Sequence, residues 1–135
     1  MYSYNGCPTY GGLGNSCGGY GGNQVATIIS VNGSLYAVRY LHLQTSYVSV
    51  TQSVAQGTVL GTVGSSGNSS GPHLHYEVFY LGDMSLNYYL SIWDGSMNFS
   101  NSGVYMNLNW TCEVKGPPCR VNPLSLHGLY VGQRY

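Results

Sequence analysis

His73 and His75 stand one residue apart in the run Gly71-Pro72-His73-Leu74-His75-Tyr76-Glu77-Val78. On a β-strand, side chains at i and i+2 share a face, so imidazoles at this spacing point into the same space. Neutral imidazole is a common zinc ligand and accepts a proton near neutral pH. The pair therefore suits a metal ligand beside a catalytic base. Glu77 falls on the histidine face, while Leu74, Tyr76 and Val78 are expected to face a core. A bare His-x-His is also an ordinary polar strand face and identifies no ion by itself. Its setting adds weight: the Gly/Ser run Gly64–Pro72 leads into it, and His42 lies in Tyr40-Leu41-His42-Leu43 on another expected strand. If that strand packs beside His73–Val78, three imidazoles converge. His127 reads as a surface residue near the C-terminus.

The elements that must position these residues read as β-strands. Val25–Val31 is β-branched and strand-like, Asn32-Gly33 is a hairpin signal, and Leu35–Leu43 is the returning strand. Tyr47–Val50 and Thr58–Val63 read as short strands, Gly64–Pro72 as a flexible loop, and His73–Tyr80 as the strand carrying the histidines. Met84–Trp93 fits a strand pair or one short helix, Val104–Val114 a strand, and Gly116-Pro117-Pro118 a turn. Helical periodicity is nearly absent. Short strands at even spacing with Gly-rich turns predict an all-β antiparallel sandwich or open barrel, with an extra irregular or β insertion near the C-terminus. One domain is expected over 1–135: a Gly/Tyr-rich segment 1–23, a β core 24–80, an insertion 81–119 and a closing segment 120–135.

Composition narrows the classes. Of 135 residues 43% are apolar and 6% charged, with formal net charge zero, against roughly 25% charged residues in an average soluble domain. No basic footprint for nucleic acid is present, and no segment approaches the ~20 apolar residues of a membrane helix. Low charge weakens repulsion between copies, so a homo-oligomer or larger assembly is expected. Cys7, Cys17, Cys112 and Cys119 predict two disulfides. Cys7–Cys17 with Cys112–Cys119 is the local pairing, and two other connectivities stay open. Sequons at Asn32, Asn68, Asn98 and Asn109 are weak glycan-acceptor signals. Together with the cysteines they point to an extracellular, cell-surface or virion setting. The first ten residues carry no basic start and no apolar run, so no secretory signal is visible.

The stretch Tyr20–Tyr80 resembles the second half of a lysostaphin/LytM-type zinc metallopeptidase domain. Tyr20-Gly21, an apolar strand, Tyr40-Leu41-His42-Leu43, the Gly-punctuated Val50–Gly64 and the loop-and-strand Ser65–Val78 occur in the family's order. Ser53 stands near the place of one of the pattern's glycines. Arg120-Val121-Asn122-Pro123-Leu124 resembles the family's closing (V/I)-(N/D)-P piece. The resemblance implies a Zn2+ hydrolase that cuts peptidoglycan peptides. It further implies that His75 ligates the metal, while His73 and His42 flank it, orient or deprotonate the attacking water and stabilise the charged intermediate.

The chain departs from the family in one decisive place. The other two family ligands come from an upstream His-x-x-x-Asp segment, whereas here no histidine precedes His42 and no Asp or Glu precedes Glu77. The zinc site is therefore incomplete as read. Cys7 and Cys17 are poor substitutes if oxidised, and nothing places Asp83, Asp94 or His127 at the site. A second departure is Leu81–Cys119, which holds Trp93 and Trp110 and reads as extra strands or as an aromatic surface for sugar or self-association. Two functions follow. One is a degenerate peptidase-like domain reused as an extracellular structural or binding module, in a fibre, virion or surface assembly. The other is a zinc-dependent peptidoglycan endopeptidase using His42, His73 and His75 with further ligands not read in this chain. Peptidoglycan or another glycan is the expected partner.

Overall fold

A computed structural model describes residues 2–92, 112 and 119–123. Its elements are β1 (Tyr2–Tyr4), β2 (Asn23–Val31), β3 (Ser34–Ser46), β4 (Gly61–Val63), β5 (His75–Asp83), α1 (Leu86–Ile92) and β6 (Cys119–Val121). The strands form one sheet in the order β1-β2-β3-β5-β6, with β4 pairing β3. The pairs β1–β2, β3–β4 and β5–β6 are antiparallel. The chain is thus of the all-β class expected from its strand pattern, and the described residues include the seven-residue helix α1. Trp93, Asp94, Trp110, His127, the sequons at Asn98 and Asn109, most of the expected strand 104–114 and the turn 116–118 lie outside the described residues.

The β2–β3 hairpin forms where the sequence places it. Asn32 and Gly33 both take positive φ, 51° and 84°, the backbone pattern that matches the right-handed twist of two joined strands. One expected strand is absent and another is shortened. Tyr47–Val50 leads into a turn in which Gln52 N–H donates to Ser49 O while Ser49 N–H donates to the Gln52 side chain. Its alternation therefore marks a loop whose Val48 is buried and whose Tyr47 is exposed. Thr58–Leu60 is likewise not strand, because Thr58 N–H closes a turn onto Ala55 O; only Gly61–Val63 pairs. In Met84–Trp93 the helix alternative holds over Leu86–Ile92. Ser85 begins it as an N-cap, its Oγ accepting from Tyr88 N–H at 3.1 Å.

Two compact units divide the chain. The first comprises 1–27 and 39–76. Its apolar centre is Val25, Leu43 and Val48, with Tyr40, Val54 and Leu60 packed against them. The Cys7–Cys17 disulfide closes its N-terminal segment, and that segment docks on the Gly/Ser run: Gly11 N–H donates to Ser65 O, and Asn68 N–H to Tyr20 O. The run expected as a flexible loop is therefore docked along part of its length. Ser65, Ser66 and Ser69 are buried. Glycine makes this possible, since a Cβ on Gly11 would overlap the Gly67 carbonyl. Gly67 itself stands at φ +71°, where a side chain would be strained.

The second unit comprises 28–38 and 77–135. Leu35, Ala37, Val78, Phe79, Leu81 and Tyr89 are buried in it. Glu77, which alternation assigns to a polar face, is buried and receives Arg120 Nη2 at 3.2 Å. The carboxylate accepts burial because a guanidinium accompanies it. Cys112–Cys119 is the second disulfide, so both bonds follow the local pairing.

Candidate metal centre

His42 is set by an irregularity in β3. It takes φ +61°, a conformation that costs a non-glycine residue roughly 1–3 kcal/mol unless its surroundings fix it. They do so at two points. Its N–H donates to Gly21 O at 2.8 Å, and its Nδ1 lies 2.8 Å from Ser66 O. The pairing with β4 slips between Leu43 and Thr45, and such bulges re-aim side chains.

His73 precedes β5. Its N–H donates to Gly64 O at 3.1 Å, and the regular strand starts only at His75. That late start explains one failed expectation. Leu74 is 44% exposed, since the alternation that would turn it to a core has not begun. His73 Nδ1 lies 2.8 Å from Gly71 O and 3.2 Å from Ser69 Oγ.

The three imidazoles meet. The His42 ring centroid is 4.8 Å from that of His73 and 5.7 Å from that of His75. One ligand nitrogen from each lies within 4.8 Å of the other two. His42 is buried, His75 half-buried and His73 exposed. The sequence-predicted convergence is therefore observed. Cys7 and Cys17 take no part, being bonded to each other. Asp83 pairs instead with Tyr80 and Ser34, which hold its carboxyl below the usual range, Tyr80 first.

Hydrogen bonding decides which ring nitrogens keep a lone pair. A carbonyl oxygen only accepts, so Nδ1 of His42 must carry its proton to reach Ser66 O, and Nδ1 of His73 to reach Gly71 O. In the neutral rings Nε2 then bears the lone pair. Pinning of the remote N–H by a carbonyl is the arrangement that orients metal-ligating histidines. The donor set fits a zinc ion on chemical grounds. Two nitrogens on one tetrahedral zinc stand about 3.4 Å apart. A spread of up to 4.8 Å therefore also lets an imidazole face a bound water instead of the ion. The first unit holds no Asp or Glu, and Arg39 is its only Lys or Arg, so neutral nitrogen is the chief ligand type available there.

Two tyrosines flank the histidines in sequence. Tyr40 and Tyr76 meet edge to face at 5.3 Å. Burial pushes the Tyr40 phenol up, and burial followed by the neighbouring Tyr40 pushes Tyr76 to about 12. Both stay neutral at physiological pH and offer no phenolate. Sequence reasoning missed Asn23, Ser66 and Ser69, all buried polar residues around the histidines. The density of serine beside His-x-His was the available signal, yet composition does not distinguish a buried serine from a wet one.

The profile described as Peptidase family M23 matches residues 13–87. The peptidoglycan DD-endopeptidase ShyA of Vibrio cholerae is 41% identical over 63 residues, 47% of this chain and 14% of that protein. ShyC of the same organism, also a peptidoglycan DD-endopeptidase, is 47% identical over 47 residues, 35% of this chain and 11% of its own. The cell division protein DipM of Caulobacter vibrioides is 38% identical over 65 residues, 45% of this chain and 11% of its own. The chain thus spans 11–14% of the length of these relatives. No solved structure matches the chain significantly.

Proposed function

The chain belongs to peptidase family M23, and from that premise we propose that its histidine cluster is the working half of a zinc-dependent peptidoglycan endopeptidase site. The observation that carries this reading is the convergence of His42, His73 and His75 with two rings already pinned at Nδ1. His75 would hold the ion. His42 and His73 would flank it, one to take the proton of the attacking water and the other to steady the charge that develops on the scissile carbonyl. When bound, zinc supplies a Lewis acid and lowers the pKa of its water to roughly 7. The buried His42 keeps bulk water from one side of the centre. A complete site would need further ligands besides these residues. Peptidoglycan places the site of action outside the cytoplasm, and no helix among the described residues is long and apolar enough to cross a membrane.

A second reading is a binding or structural module without hydrolysis, in an extracellular or surface assembly. One observation favours it: no carboxylate precedes Glu77 to complete a mixed-ligand zinc site. The low charge and the exposed Tyr10 and Leu13 fit self-association. Release of peptides from purified peptidoglycan separates the two. The peptidase reading predicts turnover that a chelator stops and zinc restores. No turnover with zinc present, by a protein that sediments with peptidoglycan, would overturn it in favour of the binding module.

A further inference from the structure

Ser66 and Ser69 are buried polar residues that the proposed chemistry does not use, and each touches the support of a different histidine. Ser66 makes a two-point clamp. Its Oγ–H donates to Leu43 O at 2.5 Å and its Oγ accepts from Asn23 N–H at 2.9 Å, while its own carbonyl receives His42 Nδ1 at 2.8 Å. The hydroxyl thus fixes the Ser66 backbone against the residue after His42, and the carbonyl fixes the His42 ring. Asn23 anchors the clamp. Its side-chain oxygen accepts from Cys7 N–H at 2.7 Å, and its amide donates to Cys7 O and Gln44 O at 3.0 and 2.9 Å.

Ser69 makes the other arm. Its Oγ–H donates to Gly71 O at 2.9 Å, the carbonyl that receives His73 Nδ1 at 2.8 Å. The same oxygen pairs with Ser65 Oγ at 2.8 Å and lies 3.2 Å from His73 Nδ1. Ser66 bonds around His42 and Ser69 around His73, and the hydrogen bonds of the two arms share no atom.

We infer that the Gly/Ser loop is a positioning element that sets the tautomers of two histidines independently, Ser66 for His42 and Ser69 for His73. A free imidazole samples both tautomers, and only the Nδ1–H form keeps a lone pair on Nε2, free for a ligand or a proton. Removing either hydroxyl unfastens one backbone carbonyl and leaves the other in place. Relevance to catalysis rests on the metal reading above; the tautomers themselves do not.

The test uses the metal-free full chain labelled with 15N-histidine. Long-range proton–nitrogen NMR correlations report which ring nitrogen carries the proton. Wild type should show Nδ1–H for His42 and His73. Ser66→Ala should release His42 into both tautomers and leave His73 unchanged; Ser69→Ala should do the reverse. General loosening would move both rings together in either variant, and that result, or no movement in both, overturns the inference. Should a variant not fold, the wild-type spectrum decides: protons on Nε2 of these rings overturn the inference, and protons on Nδ1 support it. A wild type with both Nδ1 protons that binds no zinc contradicts the metal reading while the positioning stands.

Discussion

At the scale of single residues, the centre consists of strongly biased side chains. His42 is held in a left-handed backbone conformation by partners on either side, so its ring direction is prepared before any ligand arrives. Tyr40 and Tyr76 are biased towards their neutral forms, which has a consequence for stability. Between about pH 10 and the folded value of about 12, the unfolded chain releases a proton from Tyr76 that the folded chain retains. The folded state therefore binds more protons there, and stability falls as pH rises. Urea midpoints should stay level up to about pH 9 and drop from about 10 to 12, a window set by the ordinary tyrosine pKa. Tyr76→Phe should flatten much of the drop, with Tyr40 and Tyr80 leaving a remainder. An unchanged slope in Tyr76→Phe would show that its phenol is not held neutral by the fold.

At the scale of elements, the legible and the illegible part for identifiable reasons. The hairpin at Asn32-Gly33 was readable because only a few residues accept two successive positive φ values. The histidine segment was readable because period-two spacing states which side chains share a face. Tyr47–Val50 misled because β-branched and aromatic residues mark burial as much as strand: Tyr47 N–H still reaches across to Leu60 O, but from Ser49 the backbone closes into a turn. The Gly/Ser run misled more seriously. Polarity suggested a solvated loop, whereas the docked N-terminal segment buries it. The burial of Glu77 was not legible because an ion pair with a residue 43 positions away leaves no local signature. The N-terminal segment depends on Cys7–Cys17, a loop of sequence separation 10. Closing a loop of that size stabilises by about 3 kcal/mol. The double substitution Cys7→Ser, Cys17→Ser should lower unfolding free energy by about that amount, measured by urea titration. Because Cys7 holds Asn23, it should also raise hydrogen exchange at Asn23 and His42. A loss well under 1 kcal/mol with unchanged exchange would mean that backbone docking alone secures the segment.

At the scale of the molecule, this is a low-charge all-β chain in which a disulfide, a buried serine loop and a bulged strand bring three imidazoles together. Family membership covers residues 13–87, and every histidine of the cluster lies inside that span. The count of ligands remains the point on which the two functional readings divide, since zinc held by His75 needs partners and residues 1–76 contain no carboxylate. Zinc content decides the matter most directly. The full chain, equilibrated with zinc and freed of excess, should carry close to one ion per chain by native mass spectrometry, and His75→Ala should carry almost none. Wild type with no zinc, or His75→Ala with as much as wild type, would contradict the account.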